Sequence, residues 1–275
     1  MPEGPEIRHA ADRVEAAVAN RKIEVIEFAF EHLQLFERRL CGRIVTRVDT
    51  RGKAMLTHFD NGWTIYSHNQ LYGRWYVCAR GRIPQTSRQL RLALHNDRHS
   101  AYLYSASDID VIKTNRLEEH PFLARLGPDI LSENPSVKDI IQRLQSRSFF
   151  RRQLGALLLD QGFVAGLGNY LRAEILTLAR IHPLRRPVDC TPEQISKLAR
   201  LIIKITRRSY RTRGITNPPS LVARLKAKGL KKREQYRFNT YGRAGKACHY
   251  CGTNIELNTS GGRKMYFCPG CQPSS

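Results

Sequence analysis

Four cysteines near the end of the sequence have the spacing of metal ligands. Cys248 and Cys251 form one Cys-x-x-Cys pair, and Cys268 and Cys271 form another after sixteen intervening residues. Each pair can offer two sulfurs to a tetrahedral ion, as in a four-cysteine zinc ribbon. Because four thiolates leave no open coordination position, the pattern predicts one structural zinc ion. A redox pair is the alternative, but two equivalent pairs flanking a hairpin are not arranged as redox motifs are.

The start of the chain could carry a nucleophile. Pro2 follows Met1, and an initiator methionine is usually removed before a small residue, so we expect the secondary amine of Pro2 to become the N-terminus. An α-amino group titrates near ~7.7 to 8.0, so part of it is uncharged at neutral pH and able to attack C1′ of a sugar. The resulting iminium is an electron sink for eliminating the flanking phosphates, and Glu3 could protonate the sugar oxygen. The alternative is that Pro2 and Glu3 merely lead into a helix, where prolines and acids are common.

The charge of the chain indicates a polyanionic partner. Its 275 residues contain 46 Lys and Arg against 24 Asp and Glu, which gives a net charge of +22 and a pI near 10.2. Nucleic acid and an anionic membrane surface are the two candidates. No stretch approaches the ~18 uninterrupted apolar residues of a membrane span, and the N-terminus lacks the pattern of a secretion signal. Because the seven cysteines include two metal-type pairs, we expect a reducing compartment, the cytoplasm, and no membrane partner.

The elements that must position Pro2 and Glu3 are a helix followed by strands. Ile7, Ala11, Val14 and Val18 have helical spacing, with charged residues between them. From residue 21 to about 113, short runs rich in Val, Ile, Tyr and Trp predict an antiparallel sandwich or barrel. We expect its strands near residues 22–30, 43–50, 54–59, 63–68, 74–78, 89–95 and 100–105.

From Ser136 onward the apolar spacing becomes helical again. Ser136 is a predicted N-cap, and Thr191-Pro192-Glu193-Gln194 opens a later helix with a capping box and a first-turn proline. Between two further helices, the glycine-rich segment 162–169 predicts a tight turn that exposes backbone N–H groups. The segment from Lys204 to Lys246 contains 14 Lys and Arg but only one acid, Glu234. A disordered linker is an alternative for this segment, since charge runs often cannot fold alone.

Four separated motifs resemble the formamidopyrimidine-DNA glycosylase and endonuclease VIII family over nearly the whole chain. They are Met1-Pro2-Glu3-Gly4-Pro5-Glu6, Arg51-Gly52-Lys53, Gly166-Leu167-Gly168-Asn169-Tyr170 and the terminal cysteine finger. Gly4 and the loop Ser67-His68-Asn69-Gln70-Leu71-Tyr72-Gly73 are closer to the endonuclease VIII branch than to the purine-lesion branch. The resemblance implies an α+β fold, in which a catalytic N-terminal helix heads an antiparallel β-sandwich. A helical helix-two-turn-helix domain with a zinc finger completes the other side of a basic cleft. The implied domains are residues 1–125, 126–240 and 241–275.

The resemblance also implies catalytic roles for four residues. Pro2 matches the Schiff-base nucleophile, and Glu3 matches the general acid for the opening sugar. Lys53 matches a lysine that donates a proton and contacts phosphate near the β-elimination, although a lone lysine after glycine is more often solvated. Arg263 matches a finger-tip arginine that clamps phosphates and acts in the δ-elimination, a task that suits a bidentate guanidinium.

A second set of residues matches DNA contacts of the family. Gln70, Leu71 and Tyr72 resemble the residues that fill the gap left by a flipped-out nucleotide, since an amide, an aliphatic wedge and an aromatic ring can replace lost pairing and stacking. Without the family, Leu71 and Tyr72 are read as core residues at a strand end. Asn169 matches an asparagine that grips phosphates from a helix start, and Arg125 matches a DNA-contacting arginine.

These features predict a bifunctional DNA glycosylase and AP lyase of base excision repair, of a bacterial cytoplasmic type. The predicted partner is duplex DNA with a damaged base or an abasic site, and the resemblance implies a monomer. Oxidised pyrimidines of the thymine-glycol type are the expected substrates. Oxidised purines such as 8-oxoguanine or formamidopyrimidines are an alternative, because an extra basic block around Leu225 to Arg237 lies where the purine branch closes a loop over the base. A non-catalytic zinc-ribbon protein that binds nucleic acid is a third possibility, which charge and cysteines alone support equally.

Overall fold

In the computed structural model, which describes residues 2–260 and 262–274, the chain divides into two units, Met1–Leu126 and Gly127–Ser275. The first unit holds one long helix and two sheets, and the second holds the remaining longer helices and a two-stranded hairpin. The prediction of an α+β fold with an N-terminal β-sandwich and a C-terminal helical part is therefore confirmed. None of the helices in the described residues combines the length and apolarity needed to cross a lipid bilayer.

The first unit begins with helix α1 (Gly4–Val18). Its apolar residues lie three or four positions apart, so they share one face of the helix. That face is buried, as the spacing of Ile7, Ala11, Val14 and Val18 predicts. It packs in one apolar cluster with residues from both sheets, including Val48 on one sheet. The helix that starts immediately after Glu3 is thus anchored along its length.

Two antiparallel sheets make up the rest of the first unit. One has five strands in the order β1-β3-β4-β5-β9, and the other has four in the order β2-β7-β8-β6. The predicted strands all occur, but the pattern does not predict β9 or the two single-turn helices α2 (Glu31–Gln34) and α3 (Glu37–Leu40). The strands are β1 (Arg21–Lys22), β2 (Val25–Phe28), β3 (Ile44–Arg51), β4 (Ala54–Phe59), β5 (Trp63–His68), β6 (Arg74–Ala79), β7 (Leu90–His95), β8 (His99–Tyr104) and β9 (Asp108–Lys113).

The second unit is built on helices whose start signals are visible in the sequence. The Ser136 hydroxyl accepts the N–H of Asp139 at 3.2 Å, and the Thr191 hydroxyl accepts that of Gln194 at 3.3 Å, so both predicted N-caps are confirmed. The helices are α4 (Val137–Gln145), α5 (Leu154–Leu157), α6 (Asn169–Ala179), α7 (Pro192–Arg211), α8 (Pro219–Ala227) and α9 (Arg233–Tyr236). A hairpin of β10 (Glu256–Ser260) and β11 (Arg263–Phe267) follows.

The basic segment from Lys204 to Lys246 is folded, so a disordered linker is the wrong interpretation. Helix α8 buries Leu221 and Leu225, which supply the apolar contacts that a charge run by itself lacks. The Arg224 guanidinium donates to the carbonyl of His249 at 3.3 Å. We call the exposed basic surface of α8, α9 and the residues between them the basic lobe.

Candidate functional site

The first candidate residues lie directly before a rigid helix. Pro2 is half-buried, and Glu3 is only 3% exposed. The backbone N–H of Glu3 donates to the Glu6 carboxylate at 3.1 Å, and the N–H groups of Glu6 and Ile7 donate to the Glu3 carbonyl at 3.0 and 3.1 Å. These bonds fix the backbone that carries the Glu3 carboxyl and the Pro2 nitrogen. Met1, whose removal the sequence predicts, lies outside the described residues.

Lys53 lies in the two-residue turn between β3 and β4. Gly52 takes a φ of 62°, a value that hairpins of this length usually assign to glycine. Helix α1 packs against both of these strands. The Lys53 side chain is 8% exposed, so the interpretation of Lys53 as a solvated lysine is wrong. A buried ammonium on a tight turn is held in one place, as a group that contacts substrate must be.

The sheet register brings Lys53 to the loop that follows β5. Ala54 pairs with His68, so the turn before Ala54 and the loop after His68 lie at the same end of the sheet. Burial lowers the pKa of His68, and the charge of Lys53 lowers it further, against the opposing charge of Asp108. The unprotonated Nδ1 of His68 accepts the backbone N–H of Gln70 at 3.1 Å. A neutral His68 therefore links the lysine turn to the loop.

The loop itself presents its apolar side chains to solvent. Leu71 is 56% exposed and Tyr72 is 69% exposed, so they are not strand-end core residues. Gln70 has a φ of 48°, and its side-chain oxygen accepts the hydroxyl of Ser107 at 2.6 Å. At Gly73 an added Cβ would lie 2.5 Å from the carbonyl oxygen of Asn69, so the loop closes only with glycine there. An exposed Leu-Tyr pair on a closed loop is suited to insertion into another molecule.

Arg125 lies at the end of the same unit. It closes a single 3₁₀ turn, Leu123–Arg125, and its side chain is exposed. The Nε group donates to the carbonyl of Pro121 at 2.7 Å, which orients the guanidinium. The first unit thus contains Pro2, Glu3, Lys53, the 70–72 loop and Arg125.

The second unit contains Asn169 at the first position of α6. The preceding turn includes Gly166 with a φ of 88° and Gly168 as the N-cap, so the predicted glycine turn leads into the helix start. The Asn169 side-chain oxygen accepts a hydrogen bond from Arg172. This contact leaves the amide group of Asn169 oriented at a helix N-terminus, where anions are favoured.

Arg172 was not among the residues that the sequence singles out. It is 2% exposed, and its guanidinium donates to the carbonyls of Gly155 at 3.0 Å and Lys264 at 2.7 Å. It therefore ties Asn169 to the strand that begins with Arg263. A charged residue three positions after Asn169, in a helix whose other residues are mostly apolar, is the signal that could have identified it.

Arg263 is exposed at the start of β11, and it lines a cavity with two further arginines. The cavity has a volume of about 360 Å³ and is lined by Arg152, Arg172 and Arg263 together with the acid Asp160. Arg152 is paired with Asp160 at 2.6 Å. Three guanidinium groups against one carboxylate make this cavity positive, so it suits a phosphate group. The tip residue Gly261 lies outside the described residues.

The four cysteine sulfurs form a cluster that could hold a metal ion. All four lie within 4.8 Å of one another, and the distances from Cys251 to Cys268 and to Cys271 are both 3.4 Å. A tetrahedral ion with four bonds of about 2.3 Å requires sulfurs near this separation. The sulfur of Cys248 accepts N–H groups from Tyr250 and from the side chain of Asn239, both at 3.4 Å. Such donors suit a sulfur that binds a metal, so the residues fit a bound cation.

The backbone around the cluster is shaped for this arrangement. Gly252 has a φ of 80°, and a Cβ added to Gly270 would lie 2.4 Å from the Thr253 hydroxyl and 3.2 Å from the Cys251 sulfur. Both glycines are therefore required by the knuckle turns. The predicted zinc ligands converge on one point.

Glu174 is a second group that the sequence analysis missed. It is a carboxyl on α6, fully buried, and it accepts the backbone N–H groups of Asn239, Thr240 and Tyr241 at 2.8 to 2.9 Å and the Thr216 hydroxyl at 2.9 Å. Burial raises the pKa of Glu174, and the four donors oppose that rise. The carboxyl fixes the segment that leads into Cys248.

Comparisons with known proteins agree with these features. Residues 1–105 match the model of the formamidopyrimidine-DNA glycosylase N-terminal domain, and residues 126–218 match that of the formamidopyrimidine-DNA glycosylase H2TH domain. Proteins named endonuclease 8 from Salmonella arizonae and Salmonella schwarzengrund are both 46% identical over 272 residues, which is 99% of this chain and 100% of theirs.

Solved structures agree in fold. A Lactococcus lactis formamidopyrimidine-DNA glycosylase bound to DNA containing an N7-benzyl formamidopyrimidine has a TM-score of 0.82 and 23% identity, with 99% of this chain and 100% of that chain covered. The same enzyme with an abasic-site DNA has a TM-score of 0.80 and 22% identity, with the same coverage.

Proposed function

The chain belongs to the formamidopyrimidine-DNA glycosylase and endonuclease VIII family of DNA glycosylases and AP lyases, and we propose that it removes oxidised pyrimidines from duplex DNA and cuts the strand by β,δ-elimination. The observation that carries this proposal is the pair Pro2 and Glu3, fixed at the head of α1 in a chain 46% identical to endonuclease 8 proteins. In this proposal it acts as a monomer on chromosomal DNA in the cytoplasm.

Base removal would begin at the Pro2 nitrogen. Its lone pair forms a bond to C1′ of the damaged nucleotide while the bond from C1′ to the base breaks. The electron pair of the broken bond leaves with the base, which takes up the proton that the Pro2 nitrogen loses. Glu3 protonates the ring oxygen, so the sugar opens and a Schiff base between C1′ and Pro2 remains. Because the iminium nitrogen of a proline carries no proton to lose, its positive charge persists.

The charge on this Schiff base drives strand cleavage. Loss of a proton from C2′ expels the 3′ phosphate, and a second elimination expels the 5′ phosphate. Lys53, held in the β3–β4 turn beside the loop, is suited to proton transfer and phosphate contact in the first step. Arg263, beside the positive cavity, is suited to bind the phosphate that leaves in the second.

The duplex would be held by residues on both units. Leu71 and Tyr72 would enter the gap left by the flipped nucleotide, because their exposed surfaces would be shielded from water between bases. Gln70 would face the unpaired base, while Asn169 and Arg125 would contact phosphates. We assign zinc to the four-cysteine site, because four thiolates in a tetrahedral cluster suit this ion. Bound zinc supplies folding energy to the finger and takes no part in the chemistry.

Single-turnover excision from matched duplexes tests the proposal. One duplex contains thymine glycol and the other contains 8-oxoguanine. The cleaved strands are distinguished by whether a phosphate remains at each end of the gap. We expect faster release of thymine glycol and a gap with phosphates at both ends. Faster release of 8-oxoguanine would assign the chain to purine lesions, and products ending in an unsaturated aldehyde would contradict the δ-elimination.

A further inference from the structure

Asn239 belongs to the second unit, and each of its polar atoms makes a hydrogen bond. Its backbone N–H donates to Glu174 at 2.9 Å, and its carbonyl accepts from Arg243. Its side-chain oxygen accepts the backbone N–H of His249 at 3.0 Å, and its Nδ2 group donates to the Cys248 sulfur at 3.4 Å and to the Thr240 hydroxyl at 3.2 Å. Because the backbone N–H of His249 can only donate, its partner must be the amide oxygen, and the Nδ2 group is the end that donates to the sulfur. The residue is 1% exposed, so water does not compete for these bonds.

The second knuckle has a comparable contact. Gln272 is also 1% exposed, and its side-chain oxygen accepts the backbone N–H of Cys268 at 3.0 Å and the Thr177 hydroxyl at 2.9 Å. Its side-chain N–H donates to the carbonyl of Ile181 at 2.9 Å. Glu174, Thr177 and Ile181 follow one another at intervals of three and four residues, so the helix α6 and the turn after it present one face to both knuckles.

We propose that Asn239 is a positioning residue for the metal, which donates a hydrogen bond to the Cys248 thiolate and, through Glu174, fastens the first knuckle to α6. The amide N–H stabilises negative charge on the sulfur and holds it at the distance that the ion needs. Groups that orient a ligand in this way typically change metal affinity about 10- to 100-fold when they are removed. Asn239 is therefore expected to control how long the finger keeps its metal.

The test measures the rate at which the zinc-loaded full chain gives up zinc to a chromophoric chelator. In Asn239→Ala the donor and the acceptor are lost. In Asn239→Asp, which has nearly the same shape, the acceptor for His249 stays and a carboxylate faces the thiolate. We expect both variants to release zinc about 10- to 100-fold faster than the original chain.

Asn217→Ala is the matched control. Asn217 is 2% exposed and its side chain donates to the carbonyl of Tyr236 at 2.9 Å, so its loss removes a hydrogen bond of a similarly buried asparagine that does not end on a cysteine. Release of zinc from this variant should stay within about twofold of the original rate. If both Asn239 variants release zinc as slowly as Asn217→Ala, or if the original chain binds no zinc, the proposal is overturned.

A spectroscopic measurement separates the hydrogen bond to sulfur from a general loss of stability. With cobalt(II) in place of zinc, the sulfur-to-cobalt charge-transfer band reports the electron density on the thiolates. Loss of an N–H donor should shift this band in both Asn239 variants and leave it unmoved in Asn217→Ala. An identical band in all four proteins would contradict a direct contact with the ligand, whatever the release rates are.

Discussion

Replacing Glu174 with alanine should destabilise the second unit more than any surface substitution. The carboxyl is fully buried on α6 and receives four hydrogen bonds, three of them from backbone N–H groups that cannot turn elsewhere. The Thr216 hydroxyl, the fourth donor, can rotate towards the carbonyl of Arg237, which it already approaches at 3.0 Å. The three N–H groups of residues 239–241 are therefore the ones left without an acceptor.

The expected loss follows from these three donors. Each buried donor without a partner costs about 1 to 3 kcal/mol. The substitution also removes the cost of burying the carboxyl, and this gain offsets part of the sum. Three such donors sum to about 3 to 9 kcal/mol, and after the offset we expect a decrease of about 4 kcal/mol in the free energy of unfolding. For a unit of roughly 150 residues, each kcal/mol lowers Tm by about 2 to 4 °C, which gives a shift of about 8 to 16 °C.

Thermal unfolding of the zinc-loaded protein, followed by circular dichroism, measures this shift. Glu234→Ala is the control, because Glu234 is an exposed glutamate in the same unit, on α9, and such changes usually stay within about 0.5 kcal/mol. If Glu174→Ala melts within 2 °C of the control, the three N–H groups do not depend on this carboxyl. The account of α6 as the support of the finger would then be refuted.

Three further predictions concern the loop, the basic lobe and the finger tip. Because burial holds the pKa of His68 below 6.5, its contribution to stability is full above pH 6.5 and is lost as the pH falls. His68→Asn keeps an acceptor for the N–H of Gln70, so in urea unfolding it should lose less stability between pH 7 and pH 5 than the original chain. An equal loss in both proteins would contradict this. Glutamine in place of three lysines of the basic lobe should lower the slope of log DNA affinity against log salt concentration by about 2 to 3. Three matched substitutions on α7 should lower it less. Equal slopes for the two variants would show that the lobe does not contact phosphates. The lobe lysines are Lys228, Lys231 and Lys232, and the α7 residues are Lys197, Arg200 and Lys204. Arg263→Ala should slow the second strand cut more than base release, measured on one gel, and equal slowing would exclude the assigned role.

The sequence predicts the elements where local signals dominate. The apolar spacing from Ile7 to Val18 and the caps at Ser136 and Thr191 depend on neighbours within a few residues, and each is confirmed in the structure. The convergence of the four cysteines follows from their spacing alone. Strand β9 has a weaker signal, because aspartate, a residue type depleted in strands, occupies its first polar positions and the alternation ends after Val111.

The contacts that support the site depend on long-range packing. Glu174 and Asn239 are separated by 65 positions, and Arg172 and Lys264 by 92, so no local pattern links them. The exposure of Leu71 and Tyr72 likewise depends on a loop closed by Gly73, while alternation alone predicts burial. The sequence motifs mark the residues assigned to substrate, but not the buried polar residues that support them.

The central claim is that the nitrogen of Pro2 bonds to the deoxyribose. Borohydride reduction during turnover of an abasic-site duplex, followed by digestion and mass measurement of the cross-linked peptide, locates that bond directly. We expect one adduct, on the N-terminal nitrogen of a chain that has lost its methionine. Pro2→Gly should give only a weak residual signal, and the protein with an acetylated terminus should give no adduct. An adduct on a lysine, or full incision by the acetylated protein, would contradict the account.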